Sequence, residues 1–285
     1  MDQQQRIPGA RLKRLPLNSI IPNIFTVLAL CAGLISVQLT LKEHWHAAVG
    51  AVLIAAILDG LDGRLARLLK GTSKFGAELD SLSDFFCFGV APALLVYRWT
   101  LYQLGDIGYI VVLVFAVCCA LRLARFNVMS DAEGPKPSST YFVGVAAPAA
   151  GGLALWPIMC SFEMGEWFRH PLLNAAMLLV VAFLMVSRIP TYSLKKINVQ
   201  RDYILPTLVA AAAGLALLYF YPWWTLAALG LAYMISIPLG YRARRQQQQA
   251  DQAAMAAYRA AAQAQRETPP AGPPGDNVTR LGGQR

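Results

Sequence analysis

The chain has 285 residues, of which 56% are hydrophobic and only 14% are charged. A soluble domain carries about 25% charged residues, so this composition excludes an ordinary soluble protein and indicates one with several membrane spans. The net charge of +9 indicates membrane topology rather than nucleic-acid binding, because no basic stripe alternates with aromatic residues on a soluble surface.

The first 19 residues are polar and basic, and we expect no cleavable signal peptide in them. Residues 6–18 mix basic with aliphatic residues. This pattern fits either a short helix lying on anionic lipid or a basic leader that only sets the topology. We therefore expect 1–19 to be a cytoplasmic or interfacial segment that precedes the membrane domain.

Runs of about 20 apolar residues predict an all-α bundle of eight membrane-spanning helices between residues 20 and 241. The predicted spans are 20–41, 45–69, 75–97, 107–126, 142–160, 171–188, 204–221 and 223–241. Residues 242–285 are rich in Gln and Ala and then in Pro and Gly, which predicts a disordered cytoplasmic tail.

The basic residues are distributed unevenly over the connections between these spans. Alternate connections hold almost all of them, whereas the other set holds only Lys42, Arg98 and Arg169. Since cytoplasmic loops carry the excess of Lys and Arg, both termini are predicted to be cytoplasmic.

Four aspartates lie inside the second and third predicted spans, where an unpaired carboxylate costs roughly 2.5–3.5 kcal/mol. Asp59 and Asp62 are three residues apart, and Asp80 and Asp84 are four apart, so each pair shares one helix face. The connection between the two spans is short, so we expect antiparallel neighbours whose carboxylates converge in the cytoplasmic half. Such oxygen ligands favour Mg²⁺, Mn²⁺ or Ca²⁺, and four acids can hold the two metals used for displacement at phosphorus.

Small residues accompany the first pair of acids. Gly60, Gly63 and Ala66 leave one helix face almost bare, although a glycine inside a helix costs about 1 kcal/mol relative to alanine. A bare face admits a planar group such as a nucleobase, or it admits close packing of another helix, and both interpretations stay open. Arg67 can hold a phosphate or can serve only as a basic residue that fixes topology.

The string from Asp59 to Asp84 matches the pattern D-x-x-D-G-x-x-A-R, eight residues, G-x-x-x-D-x-x-x-D. In this pattern the chain resembles the CDP-alcohol phosphatidyltransferase family. The resemblance implies that Asp59, Asp62 and Asp80 are metal ligands, and that Asp84 completes a second metal site and acts as general base toward an incoming hydroxyl. It also implies a homodimer with six core spans, so that two of the eight predicted spans are peripheral. The residues that it implies for the cytidine diphosphate site are Gly63, Ala66, Arg67 and Gly76.

The first span opens with Pro22-Asn23-Ile24-Phe25-Thr26, which resembles a P-N-x-x-T segment common across the family. By this resemblance Asn23 and Thr26 face the nucleotide or its phosphates. Other segments resemble the membrane-integral branch of the family that uses L-serine: 88–93, 121–127, 141–144 with Pro148, and 186–190. Related sequences usually read G-L-P at 144–146, and this chain departs from that pattern.

The resemblance implies transfer of a phosphatidyl group from CDP-diacylglycerol to L-serine, with CMP released, in a bacterial inner membrane with the site facing the cytoplasm. Arg122 and Arg125 supply cations, one for the serine carboxylate and the other for a lipid phosphate, or both are topological anchors. Glycerol 3-phosphate, choline or an inositol compound is the alternative acceptor. A cation transporter is the alternative from another class, although transport needs neither the arginine nor the small-residue face.

Overall fold

The computed structural model describes residues 17–69, 71, 73–131, 141–187, 190–192 and 204–238. These residues form a bundle of helices with one short two-stranded ribbon, as the predicted helical class requires. Residues 1–16 of the segment predicted for 1–19 lie outside the described residues, as does the tail predicted for 242–285, whereas residues 17–19 begin the first helix. The larger helices are α1 (Leu17–Leu41), α2 (Trp45–Leu68), α3 (Lys74–Asp84), α4 (Ala91–Trp99), α5 (Asp106–Asp131), α6 (Ala147–Met164), α7 (Pro171–Val186), α8 (Ile204–Phe220) and α9 (222–238).

Several helices have the length and composition of membrane spans. In the part of the chain that the structure describes, three are long and apolar enough to cross a bilayer: Ile20–Leu41, Lys74–Trp99 and Asp106–Met129. The helices Pro171–Val186 and Leu205–Phe220 are apolar but shorter. Many large hydrophobic side chains on these helices are exposed, as expected of a surface solvated by lipid rather than by water. The chain is therefore an integral membrane protein, while the number of eight spans stays a prediction.

The third predicted span is interrupted by a π-helical turn, Phe85–Val90, between α3 and α4. This turn is packed closely on both sides. A Cβ atom on Gly33 of α1 would lie 2.7 Å from the Cys87 sulfur, and one on Gly151 of α6 would lie 3.2 Å from Phe88 Cα. The turn starts directly after Asp84, so tight packing fixes the end of α3 that carries this acid.

The fifth predicted span begins later than we expected. Tyr141–Val143 is a strand, β1, paired antiparallel with β2 (Pro190–Tyr192), rather than the start of a helix. Gly144 then turns the chain with a φ of +80°, and α6 begins at Ala147. Pro148 occupies the first turn of α6, where a missing N–H costs nothing, so it marks the start of this helix.

The last two helices differ in their surroundings, although the family resemblance implied that both are peripheral. Every residue of α8 from 205 to 220 is exposed. In α9, by contrast, the Trp156 indole N–H of α6 donates to the Ala227 carbonyl oxygen at 2.8 Å, and Ala227 and Ile237 are buried. One face of α9 therefore packs against Trp156 and the bundle core, while the peripheral position of two spans stays a prediction.

Candidate active site

Asp59 and Asp62 lie in the second half of α2, Asp80 and Asp84 lie in the second half of α3, and α1 packs against both helices. One carboxylate oxygen from each of Asp59, Asp62 and Asp80 lies within 4.8 Å of the other two. The carboxylates of Asp59 and Asp84 interact electrostatically with each other. The structure thus brings together all four acids that the sequence analysis selected, and these oxygens have the chemistry and spacing that a divalent cation needs.

Asp84, the last residue of α3, is partly buried. Its Oδ1 atom is buried and has no hydrogen-bond partner. Arg122 of α5 lies close enough to attract this carboxylate, and the Arg122 Nε atom is also buried without a hydrogen-bond partner. A buried polar atom without a partner is costly, so two such atoms near each other indicate a place for a ligand that satisfies them.

Thr26 of α1 contacts the acid cluster directly. Its hydroxyl donates to Asp62 Oδ2 at 2.7 Å, and both residues are only 4% exposed. The Ser83 hydroxyl donates to the Thr26 carbonyl oxygen at 3.3 Å. Thr26 therefore binds a carboxylate through its hydroxyl, and the predicted contact of Thr26 with the nucleotide stays a prediction.

A cavity of about 600 Å³ lies beside the aspartates, between α1, α2, α3 and α5. It contains every residue that the sequence analysis connected with the nucleotide. Asp62 and Asp80 face it, whereas Asp59, Asp84 and Arg122 are not among its lining residues. The lining residues are Pro22, Asn23, Thr26, Asp62, Gly63, Ala66, Arg67, Gly71, Ser73, Gly76, Ala77, Asp80 and Phe126.

The sequence analysis missed some of the lining residues, notably Ser73, Ala77 and Phe126. Ser73 is the N-cap of α3, and its hydroxyl accepts a hydrogen bond from the Gly76 N–H at 3.0 Å. The N-terminus of α3 therefore faces the cavity, and a helix N-terminus favours negatively charged groups such as phosphate. A serine just before a helical pattern is a known start signal, so Ser73 was detectable; Phe126 carries no comparable signal.

The two glycines in the cavity wall have different neighbours. A Cβ atom on Gly63 would meet nothing within 4 Å, so a ligand can approach the backbone there. A Cβ atom on Gly76 would lie 2.7 Å from Asn23 Oδ1. Because Gly76 has no side chain, Asn23 can lie against α3. The glycine at this position therefore serves helix packing as well as ligand access.

Arg122 and Arg125 were paired in the sequence analysis, and the structure separates them. The Arg125 guanidinium donates to the carbonyl oxygens of Val186 at 2.9 Å and Met185 at 3.4 Å. These carbonyls belong to the last turn of α7, which lacks intrahelical donors. Arg125 therefore stabilises the end of α7, while the Nε atom of Arg122 is buried without a hydrogen-bond partner.

Two family models match the chain. The model described as CDP-alcohol phosphatidyltransferase matches residues 19–187, which contain all four aspartates and helices α1 to α7. A second model, described as CDP-alcohol phosphatidyltransferase 2, matches residues 202–238, which correspond to α8 and α9.

Curated proteins similar to this chain carry the name CDP-diacylglycerol–serine O-phosphatidyltransferase. The protein from Mycobacterium tuberculosis (strain H37Rv) is 37% identical over 229 residues, 79% of each chain. That from Helicobacter pylori (strain 26695) is 36% identical over 190 residues, 65% of this chain and 77% of its own length. That from Bacillus subtilis (strain 168) is 34% identical over 176 residues, 62% of this chain and 92% of its own length.

Proposed function

The chain belongs to the CDP-alcohol phosphatidyltransferase family, and on that premise we propose that it transfers the phosphatidyl group of CDP-diacylglycerol to L-serine, giving phosphatidylserine and CMP. The observation that carries the proposal is the convergence of Asp59, Asp62 and Asp80 beside a cavity of about 600 Å³. Serine as the acceptor is supported by the names of relatives from mycobacteria, Helicobacter and Bacillus.

The aspartates fit a divalent-cation centre. Three of their oxygens lie within 4.8 Å of one another, and Asp84 Oδ1 is buried without a partner. We assign Asp59, Asp62 and Asp80 as metal ligands, with Asp84 completing a second site. Hard oxygen donors at this density suit Mg²⁺ or Mn²⁺, with Ca²⁺ as the next candidate. When bound, two cations would neutralise the charge on the diphosphate during displacement at phosphorus.

The cavity is assigned to the cytidine diphosphate part of the lipid substrate. Above Gly63 the helix backbone is open to a planar base, because nothing lies within 4 Å of the position of a Cβ atom there. The Arg67 guanidinium and the N-terminus of α3 at Ser73 complement the charge of the phosphates. The residues assigned to the nucleotide are Asn23, Gly63, Ala66, Arg67 and Gly76.

Asp84 is proposed as the general base. Its carboxylate accepts the proton of the serine hydroxyl, and the serine oxygen then forms a bond to the phosphorus that carries the diacylglycerol. The bond from that phosphorus to the oxygen of the CMP leaving group breaks, so the phosphatidyl group moves to serine. Positioned proton transfer of this kind typically contributes 10²–10⁴-fold to a rate.

Arg122 is proposed to bind the carboxylate of serine. The distance between the hydroxyl and carboxylate of one serine is short, so the cation that binds serine must lie near the base. Arg122 meets this requirement, since it interacts with Asp84 and keeps an unpaired Nε. Arg125 does not, because backbone carbonyls of α7 already accept its hydrogen bonds.

The proposed setting is the inner membrane of a bacterium, with eight spans, cytoplasmic termini and an active site that faces the cytoplasm. The uneven distribution of Lys and Arg supports this orientation. The acids lie in the second half of α2 and in the second half of α3, and the basic residues Arg67 and Lys74 flank the short connection between the two helices. Phe126, half exposed at the wall of the cavity, lies where acyl chains would leave it for the bilayer. A homodimer is proposed from the family resemblance.

CMP release from CDP-diacylglycerol tests this function. Purified protein with Mn²⁺ should release CMP with L-serine and little with glycerol 3-phosphate, choline or inositol compounds. Asp84→Asn should abolish CMP release, because the base and a ligand of the second metal site are lost. CDP-diacylglycerol should still bind, because Asp84 does not line the nucleotide cavity. Faster CMP release with another acceptor would contradict serine as the acceptor. Near-normal turnover by Asp84→Asn would contradict Asp84 as the general base. Metal uptake into proteoliposomes without CMP production would instead indicate a transporter.

A further inference from the structure

Thr26 is the residue of α1 that connects the two helices carrying the aspartates. It is 4% exposed, and its hydroxyl lies 2.7 Å from Asp62 Oδ2 on α2. Its carbonyl oxygen lies 3.3 Å from the hydroxyl of Ser83, which precedes Asp84 on α3 and is 3% exposed. One buried residue thus binds an acid on one helix and the neighbour of an acid on the other.

The Thr26 hydroxyl has one proton and two acceptors within reach. The Pro22 carbonyl oxygen, one turn earlier on α1, lies at 3.3 Å, whereas the carboxylate oxygen of Asp62 lies at 2.7 Å. Hydrogen bonds to an ionised acceptor are shorter and about twice as strong as neutral ones, so the proton goes to Asp62. The carboxylate of Asp62 therefore has one oxygen held by Thr26 and the other left for a ligand.

The contact of the Thr26 carbonyl oxygen affects the second pair of acids, Asp80 and Asp84. The Ser83 hydroxyl binds the Thr26 carbonyl, and the Cys87 thiol one turn further along donates to the Ala29 carbonyl at 3.3 Å. These two contacts, both to the same stretch of α1, fix how far α3 lies along α1. Asp84 lies between them, so its height relative to Asp62 depends on Thr26 as well.

We propose that Thr26 is a positioning residue of the metal centre, which orients Asp62 through its hydroxyl and sets the register of Asp84 through its carbonyl. The inference rests on the metal site of the proposed function, and it does not depend on which alcohol is the acceptor. The expectation that Thr26 contacts the nucleotide stays a separate prediction, since Thr26 also lines the cavity. Partners that orient a metal ligand in this way typically contribute 10–100-fold to metal affinity.

Mn²⁺ binding without nucleotide or serine tests the proposal, with free Mn²⁺ followed by electron paramagnetic resonance. Thr26→Val keeps the shape of the side chain but removes the donor, and it should weaken Mn²⁺ binding about 10–100-fold. Thr26→Ser keeps the donor and should bind Mn²⁺ within about threefold of the wild type. The matched control is Thr40→Val: Thr40 is equally buried on α1, but its hydroxyl donates to the Ser36 carbonyl at 2.8 Å, away from the acids.

Three outcomes decide the matter. Weaker Mn²⁺ binding in Thr26→Val but not in Thr40→Val supports the proposal. Unchanged Mn²⁺ binding in Thr26→Val, with weaker CMP binding at saturating Mn²⁺, overturns it and returns Thr26 to the nucleotide. If Thr26→Val does not fold, Thr26→Ala is compared with Thr26→Ser, and equal Mn²⁺ affinity in that pair overturns the proposal. The Mn²⁺ titration contains no substrate, so its result does not depend on the outcome of the acceptor assay.

Discussion

Two arginines one turn apart on α5 show how neighbours decide the role of a residue. Arg125 donates to the carbonyl oxygens of Val186 and Met185 and so completes the last turn of α7. Arg122 has a buried Nε without a hydrogen-bond partner and lies near Asp84. The same type of side chain therefore stabilises a helix end at Arg125 and, as we propose, binds a substrate carboxylate at Arg122.

Replacing each arginine by glutamine should separate these roles. A hydrogen bond to a charged group contributes about 1.5–3 kcal/mol, so Arg122→Gln should raise the KM for serine at least about tenfold. The KM for CDP-diacylglycerol should change little, because the nucleotide binds in the cavity. Arg125→Gln should lower the thermal unfolding temperature and leave the KM for serine within about threefold. Kinetics of CMP release check the KM values, and a thermal melt checks the unfolding temperature. Equal effects of the two substitutions on the KM for serine would contradict the separate roles of the two arginines.

At the scale of an element, α2 offers two glycines with equally open surroundings. A Cβ atom on Gly60 or on Gly63 would meet nothing within 4 Å, but only Gly63 lines the cavity. Alanine at either position should raise helix stability by up to about 1 kcal/mol. Gly63→Ala should nevertheless weaken CMP binding about tenfold or more, because its methyl group occupies space proposed for the nucleotide. Titration of both variants with CMP checks this prediction, and Gly60→Ala should bind as the wild type does.

The packing of α9 on α6 gives a second prediction at this scale. A Cβ atom on Gly230 would overlap the Trp156 ring, whereas one on Gly214 of α8 would meet nothing within 4 Å. Overpacking typically costs 1–3 kcal/mol, so Gly230→Ala should lower the thermal unfolding temperature of the purified protein. Gly214→Ala should not lower it, which makes this variant the control. An unchanged melt for Gly230→Ala would mean that α9 moves away from α6 at little cost.

Local features of the site were predictable from the sequence, and distant ones were not. The spacing of Asp59, Asp62, Asp80 and Asp84 was sufficient to place each pair on one helix face, because i,i+3 and i,i+4 neighbours depend on the helix alone. The partner of Arg125 lies about 60 residues away on α7, and no local pattern announces it. Likewise the strand Tyr141–Val143 depends on its pairing with Pro190–Tyr192, and apolar composition alone suggested a helix.

At the scale of the whole molecule, the two ends of the bundle differ in chemistry. The end with the aspartates contains a cavity that acids and glycines line, and the buried Asp84 Oδ1 and Arg122 Nε lie there without hydrogen-bond partners. At the other end, Arg98 and Glu43 form an ion pair at 2.8 Å, and His46 stacks on Phe162 with ring centroids 3.8 Å apart. The first end therefore gathers carboxylates beside a cavity, whereas the second carries an ion pair and stacked aromatic rings.

Labelling with a membrane-impermeant maleimide checks the proposed orientation of these ends. In a chain with Cys31→Ser, Gln103→Cys should react in intact cells, because its connection is predicted to lie outside the cytoplasm. Lys74→Cys should react only after the membrane is permeabilised. Both positions are exposed, so a difference in labelling reports the side of the membrane rather than burial. The reverse pattern would invert the topology and place the aspartates on the outer side.

The hydrogen bond between Thr26 and Asp62 also bears on how the ribosome delivers this chain to the membrane. On the proposed topology, α2 must enter lipid with Asp59 and Asp62 before α3 and Arg122 have been synthesised, at an uncompensated cost of roughly 5–7 kcal/mol for the two acids. Helix α1 is already complete at that moment, and it packs along α2. Biogenesis therefore favours insertion of α1 and α2 as one hairpin, in which Thr26 gives Asp62 its first partner while the remainder of the chain is still being translated.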